Sequence, residues 1–415
     1  MKRFVLVGGG PAAVAAAGTL REEGFDGEIA LLTADQELPY ERPPLSKAFL
    51  DDPRHSDGLS ALYLRSPQWY AEHGVTVRTG TAVTRLDPAA RRLALADGSS
   101  LAYDAVLLAT GVRAKPGVRL IDDKVIRLRS AHDATRLRDR LATATRIIVL
   151  GGGFIGCEVA ATASRMGKTV VLVERASSLL ERALGADLGR VLTDVHRSEG
   201  VQVKLGTIVL DCVSGADGVT VRTDRGDVEG DLVVVGAGCE PEDRLADTAG
   251  IATGNGIVTD ELCRTSAEAV YAAGDVANSY HPFYRKHIRV EHHDSAHRQG
   301  AVAARAMLGG AEPYAEPHWF WSDQYEHTIQ QVGRSEPTDR LVIRGSLEDL
   351  SFSAVWLRED RITRIAALNR PRDVMAVRKI LFTNHSVRAE DVADMGNDLR
   401  RLTRPARIVQ RKEPR

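Results

Sequence analysis

Apolar residues along this chain follow two rhythms, and the change from one to the other divides it. Up to about residue 316, short apolar runs at 4–7, 106–108, 147–150, 170–173, 232–235 and 270–273 are interleaved with Ala-rich stretches of helical character. Runs of that length between helical stretches predict βαβ units. After Pro317 the chain turns to short alternating strands at 328–332, 341–343, 352–357 and 362–367, then a helical stretch at 372–381. This second pattern predicts a separate α+β domain.

Two of the apolar runs lead straight into glycine clusters. Residues 4–7 precede Gly8-x-Gly10-x-x-Ala13, with Pro11 and Ala12 between, and residues 147–150 precede Gly151-x-Gly153-x-x-Gly156, with Phe154 and Ile155 between. In a strand–turn–helix setting, such glycines allow a tight turn and bring backbone N–H groups and a helix N-terminus to a pyrophosphate. One cluster is a weak signal. Two imply two dinucleotides held at once, the arrangement for passing hydride from a nicotinamide to a flavin. A third motif says which site holds the flavin. Residues 270–273 end in Gly274-Asp275, where the carboxylate accepts from a ribityl hydroxyl and the glycine admits the cofactor; alone, it would read as an ordinary strand end. Ala109-Thr110-Gly111 is the matching crossing beside the first nucleotide. With these motifs the chain resembles a two-dinucleotide flavoprotein reductase, with FAD on the first fingerprint and NAD(P) on the second.

The expected fold class is α/β, with two Rossmann-like dinucleotide-binding domains, the NAD domain inserted in the FAD domain, plus a C-terminal α+β domain. The expected division is 1–115 and 243–316 for the FAD-binding domain, 116–242 for the NAD-binding domain and 317–398 for the C-terminal domain. The two nucleotide folds form a diverged repeat. A tail at 399–415, with seven basic residues and one acidic, is expected to be a disordered, solvated extension.

Composition narrows the classes. A length of 415 residues with 43 % hydrophobic content supports several cores. A net charge of −1 gives no long-range pull on nucleic acid or an anionic membrane. No apolar run approaches the ~20 residues of a membrane span, and no targeting segment precedes the first strand. Cys157, Cys212, Cys239 and Cys263 form no close pair, which fits a reducing cytoplasm. The adjacent His292 and His293, with His297 as the nearest third, make no metal site.

The missing cysteine pairs exclude thiol relays of the disulfide-reductase and thioredoxin-reductase kinds, so electrons are expected to leave from the flavin itself. The segments YERPPLSK (40–47), FIGCEVAATA (154–163), VEHHDSAHRQG (290–300) and WFWSDQY (319–325) resemble the NADH-dependent ferredoxin reductases that serve Rieske-type dioxygenases and haem monooxygenases. The resemblance spans about residues 3 to 395. It implies an enzyme that takes hydride from NADH and passes single electrons to an iron-sulfur ferredoxin, feeding an oxygenase indirectly. It leaves the oligomeric state open. Two other classes remain: an NADH-responsive redox-sensing flavoprotein like the apoptosis-inducing-factor group, and a reductase acting directly on a small molecule.

Carried over by position, the resemblance implies FAD contacts at Ala12, Asp35, Arg42, Lys47, Val83, Arg129, Asp275 and His293, and places Trp321 over the flavin edge. Two of these depart from the family pattern. Asp35 is displaced behind Thr33-Ala34, and His293 stands where an aromatic or apolar residue is usual. Glu174, 18 residues beyond Gly156, suits the acid that accepts the adenosine ribose 2′-OH and repels a 2′-phosphate. Arg175 and Arg182 beside it suit phosphate instead, and Arg182 and Gly238 join the expected NAD contacts. Glu158 reads either as a first-turn carboxylate favoured by the helix dipole or, as the resemblance supplies, as the partner of Lys47 beside the reacting centre. A basic docking face for an acidic ferredoxin is expected from Arg298, Arg370, Arg372, Arg378 and Lys379.

Overall fold

The computed structural model describes residues 1–52, 58–115, 117–118, 122–381 and 385–402. The chain divides into two compact units, Met1–Glu316 and the remainder from Pro317.

The first unit contains two five-stranded sheets that are parallel throughout. One runs in the order Val270–Ala272, Ala105–Leu108, Arg3–Val7, Glu28–Leu32 and Val75–Arg78. Its first strand comes from the far side of the inserted segment, so the chain leaves this sheet and returns to it. The other runs Gln202–Lys204, Thr169–Val173, Arg146–Leu150, Leu232–Val235 and Val125–Arg127. Their central strands are almost wholly buried (Val5, Leu6, Ile148 and Val149 have no exposure), as strands covered on both faces must be. Two short antiparallel strands, Val112–Ala114 and Cys239–Pro241, carry the chain between the two folds. Small antiparallel sheets at Val83–Asp87, Arg92–Leu95 and Ser100–Ala102, and at Val209–Gly215, Gly218–Thr223 and Val228–Gly230, elaborate each half.

The helix Pro11–Glu22 buries nearly its whole length, because it is built from alanines and packs on both the sheet and the helix His293–Met307. Contact between the two helices depends on Gly300. A Cβ there would lie 2.1 Å from the Ala12 carbonyl oxygen, so only glycine lets the backbones meet. This packing brings Gln299 to the Gly274-Asp275 turn, where its Oε1 accepts from the Gly274 N–H at 2.8 Å.

The second unit is a five-stranded antiparallel sheet in the order Trp319–Gln324, His327–Gly333, Arg361–Leu368, Ser351–Arg358, Arg340–Ser346, with the helix Pro371–Leu381 packed on it. Val332, Val355 and Ile365 meet Val374, Val377 and Ile380 in its core. Asp373 secures the helix to the sheet by accepting from Ser353 at 2.9 Å and pairing with buried Arg344 at 3.3 Å. The strand Trp319–Gln324 was not among the strands expected from the sequence. Its alternation buries Phe320, Ser322 and Gln324 and leaves Trp319 and Trp321 on the opposite face, stacked 5.0 Å apart. Leu399–Arg401 of the expected tail form a 3₁₀ turn with Leu399 buried; residues 403–415 lie outside the described residues.

Candidate active site

Both fingerprints fold as strand–turn–helix, and their glycines do matching work. Gly8 has φ +133° and Gly151 φ +103°. A Cβ on Gly8 would fall 2.1 Å from the Ala109 oxygen, and one on Gly151 2.5 Å from the Gly236 oxygen. The crossings at residues 109–111 and 236–238 are therefore equivalent parts of the two halves. Gly156 admits no side chain either, since its Cβ would sit 1.9 Å from the Gly151 oxygen. Gly10 and Gly153 are different. Each is the N-cap of its helix, neither is capped by a side chain, and nothing lies within 4 Å of where its Cβ would be. Two helix N-termini without side-chain caps and with open space beside them have the geometry that suits a pyrophosphate each. At the second, Ile155 is held 42 % exposed in the first turn, beside Phe154.

At the first cradle a cluster of charge faces the glycines. The Nη2 of Arg42 donates to Asp35 at 2.9 Å, and its Nη1 donates to the Arg129 carbonyl at 3.0 Å. Tyr40, missed by the sequence reading, is 1 % exposed and joins these parts: its hydroxyl donates to Asp35 at 3.1 Å and accepts from the Ala131 N–H at 3.0 Å. Asp35 is thus tied to Arg42 and Tyr40. Burial holds the Arg129 guanidinium below its ordinary value, and the neighbouring charge of Arg42 adds to that. Two guanidiniums that repel each other beside an open helix N-terminus fit an anionic cofactor, and Gly111 lies against Arg129, its Cβ position 3.4 Å from Nη2.

Asp275 follows Gly274 in this cluster. Burial pushes its carboxyl up, opposed by Arg129, whose Nη2 is 3.8 Å away. That distance is too long for a hydrogen bond and leaves the carboxylate with acceptor capacity for hydroxyl donors. His293 opens the helix that packs here, with Nε2 2.7 Å from Glu41. Burial lowers its proton affinity, but the hydrogen bond and charge of Glu41 outweigh this and hold the imidazole above its ordinary value. Val83 begins a small antiparallel sheet and packs on the core beneath the parallel one.

Lys47 and Glu158 come together. Nζ lies 2.8 Å from Glu158 Oε2 and donates to the Pro43 carbonyl at 3.0 Å. The pair joins the loop 43–47, on the side of the first fingerprint, to the helix of the second. Glu158 is the fifth residue of Phe154–Arg165 and not in its first turn, which contains no acidic residue. The dipole reading is therefore corrected: a carboxylate 4 % exposed past the first turn is held by its partners.

Glu174 directly follows the strand Thr169–Val173, and both its oxygens are in use. Oε2 accepts from the Gly152 N–H at 2.5 Å and Oε1 from the Ala176 N–H at 2.7 Å, so it shapes the glycine turn as well as facing it. Arg175 and Arg182 beside it are exposed. Gly238 closes the second crossing, its carbonyl accepting from the Lys115 N–H at 2.9 Å. Trp321 stands on the opening strand of the second unit. Arg298 does not add to the expected basic face, because two carboxylates, Asp294 and Glu316, pair with its single positive charge. All four cysteines are free thiols. Burial pushes Cys157 well up, Cys212 to about 11, and Cys239 and Cys263 to about 12, so none is a thiolate nucleophile at neutral pH.

Residues 2–300 match the family described as pyridine nucleotide-disulphide oxidoreductase, and residues 319–403 match the reductase C-terminal family. The chain is 39 % identical to the ferredoxin–NAD(+) reductase component of the anthranilate 1,2-dioxygenase system of Burkholderia cepacia, over 94 % of this chain and 97 % of that one. It is 34 % identical to putidaredoxin reductase CamA of Pseudomonas putida, over 97 % of each. Its fold is similar to that in the crystal structure of the covalent putidaredoxin reductase–putidaredoxin complex, with a TM-score of 0.90 at 33 % identity over 97 % of this chain and 98 % of that one.

Proposed function

The chain belongs to the pyridine nucleotide-disulphide oxidoreductase family, and on that premise we propose that it is the FAD-dependent reductase of an oxygenase system. It takes hydride from NADH and passes single electrons to an iron-sulfur ferredoxin. The observation that supports this reading is the Lys47–Glu158 pair, which ties the loop 43–47 to the helix of the second fingerprint, in a chain whose cysteines offer no thiolate to relay electrons. FAD supplies the exchange between a two-electron donor and a one-electron acceptor.

The chain's residues bind and orient. Gly10 and Gly153 open their helix N-termini to the two pyrophosphates. Arg42 and Arg129 add charge at the first, and Asp275 accepts from ribityl hydroxyls. Glu174 faces the adenosine ribose of NADH, and Lys47, held by Glu158, places a positive charge where hydride arrives. Arg372, Met375 and Lys379 are exposed at helical spacing on Pro371–Leu381, an outer face suited to an acidic ferredoxin. Among the described residues, no helix is long and apolar enough to cross a membrane. The four free cysteines favour the cytoplasm.

Anaerobic NADH should bleach the flavin in stopped flow, and putidaredoxin or a second iron-sulfur ferredoxin from an oxygenase system should then restore the oxidised spectrum. Turnover with small acceptors but with neither ferredoxin would sink the reading. Asp275→Ala should weaken FAD retention about tenfold or more, since buried hydroxyls lose a charged acceptor. Equilibrium dialysis of the apoprotein against FAD measures this, and unchanged retention removes Asp275 from the flavin site.

A further inference from the structure

More than an ion pair holds the 43–47 loop to the second nucleotide helix. Ser46 is 1 % exposed, and its hydroxyl donates to Glu158 Oε2 at 2.5 Å, the oxygen that also meets Lys47 Nζ. Its main-chain carbonyl accepts from Thr162 Oγ1 at 3.1 Å. Thr162, 2 % exposed, lies four residues beyond Glu158 on the same helix and so on the same face. The two ends of Ser46 are thus fixed to two successive turns of one helix. The Pro43 carbonyl, 3.5 Å from the Ser46 hydroxyl, is a much poorer acceptor than the carboxylate.

This matters because a lysine ammonium on a four-carbon stem has three rotatable donors and little intrinsic direction. With an ion pair alone, the Glu158 carboxylate can exchange its oxygens and let Nζ follow. A neutral donor committed to Oε2 stops that rotation, and Thr162 keeps the donor in place.

We propose that Ser46 is a positioning residue for hydride transfer: its hydroxyl, anchored through Thr162, fixes the Glu158 carboxylate and through it the Lys47 ammonium. The inference rests on the reading that places Lys47 and Glu158 at the reacting centre. Ser46 needs no contact with either nucleotide. It sets the direction of a charge and ties the flavin-side loop to the NAD-side helix.

The test uses the oxidised FAD-loaded enzyme and its Ser46→Ala variant. Amine labelling of Lys47, followed by mass spectrometry, reports the freedom of Nζ without turnover. Flavin bleaching at saturating NADH reports hydride transfer, and an NADH titration reports binding. In Ser46→Ala, Lys47 should be labelled faster and hydride transfer should fall about tenfold, the cost of one hydrogen bond to a charged group. NADH affinity should stay within about twofold. Adding Ser46→Ala to Glu158→Gln should cost little more, since both act through one carboxylate.

Unchanged labelling and rate in Ser46→Ala, or losses that simply add to those of Glu158→Gln, overturn the proposal. If Lys47→Ala is itself without effect on hydride transfer, the underlying reading falls instead, and Ser46 with it. Should Ser46→Ala fail to hold FAD, Thr162→Val takes its place with the same readouts, and unchanged values there overturn the proposal as well.

Discussion

Lys47→Ala is expected to slow flavin reduction by saturating NADH about 10²-fold, the usual size of the loss when one preorganised donor is taken from a reacting centre. NADH binding should change little, because the nucleotide is held mainly at its pyrophosphate and ribose. The structure adds a complication. Glu158 is only 4 % exposed, so deleting Lys47 removes the counter-charge of a buried carboxylate that keeps its Ser46 donor, at a cost of about 3 kcal/mol in stability. The variant should therefore be slow and also less stable. Lys47→Ala combined with Glu158→Gln separates the two effects: removing the uncompensated charge should restore most of the stability and none of the rate. Stopped-flow bleaching and thermal unfolding of the three variants measure this. A normal hydride-transfer rate in Lys47→Ala would make the pair a structural tie between the two nucleotide folds and nothing more.

The second large effect is in nucleotide choice. The enzyme should prefer NADH over NADPH in kcat/KM, since a 2′-phosphate would meet the Glu174 carboxylate with like charge. Removing that carboxylate leaves exposed Arg175, the next residue in the chain, and exposed Arg182 further along as cations suited to a phosphate, so Glu174→Ala should narrow the preference by about 10²-fold. Because Glu174 also accepts from the Gly152 and Ala176 N–H groups, the same change loosens the glycine turn. Part of the narrowing should then come from slower NADH turnover and part from faster NADPH turnover. An enzyme that already prefers NADPH would overturn the assignment and make Arg175 the deciding residue.

Much of this site was legible in the chain because backbone geometry leaves marks in sequence. Gly8, Gly151 and Gly156 sit where a Cβ would collide with a main-chain carbonyl, so glycine there records a close approach. The turn at Asp275 was legible for a related reason: Gly274-Asp275 after a buried run marks the end of the strand Val270–Ala272. Side-chain partnerships left weaker marks. Ser46 lay within the segment YERPPLSK, yet nothing in its spacing tied it to Glu158, 112 residues away. Tyr40, in the same segment, read as an unremarked aromatic and proved to join Asp35, Arg42 and the Ala131 N–H. Arg298 erred in the opposite direction. A lone arginine after a flavin-proximal segment looked free, but Asp294, one helical turn before it, and Glu316, at the end of the unit, both pair with it and outweigh its charge.

The sequence by itself determined the two dinucleotide folds, their nesting and the class of chemistry, because each rests on local rules. Apolar runs become doubly covered strands, glycines become turns that nothing else can make, and the absence of paired cysteines excludes thiol relays. Only the tertiary structure decided which charges meet. Glu158 could be a dipole-stabilised carboxylate or the partner of Lys47 on sequence grounds alone, and the backbone donors that Glu174 accepts from left no mark in its spacing. Charge pairing depends on distances of a few ångströms between residues remote in the chain, and those distances are set by how helices and loops pack, not by any neighbouring residue. Packing placed Lys47 Nζ 2.8 Å from Glu158 and gave Glu174 two backbone donors.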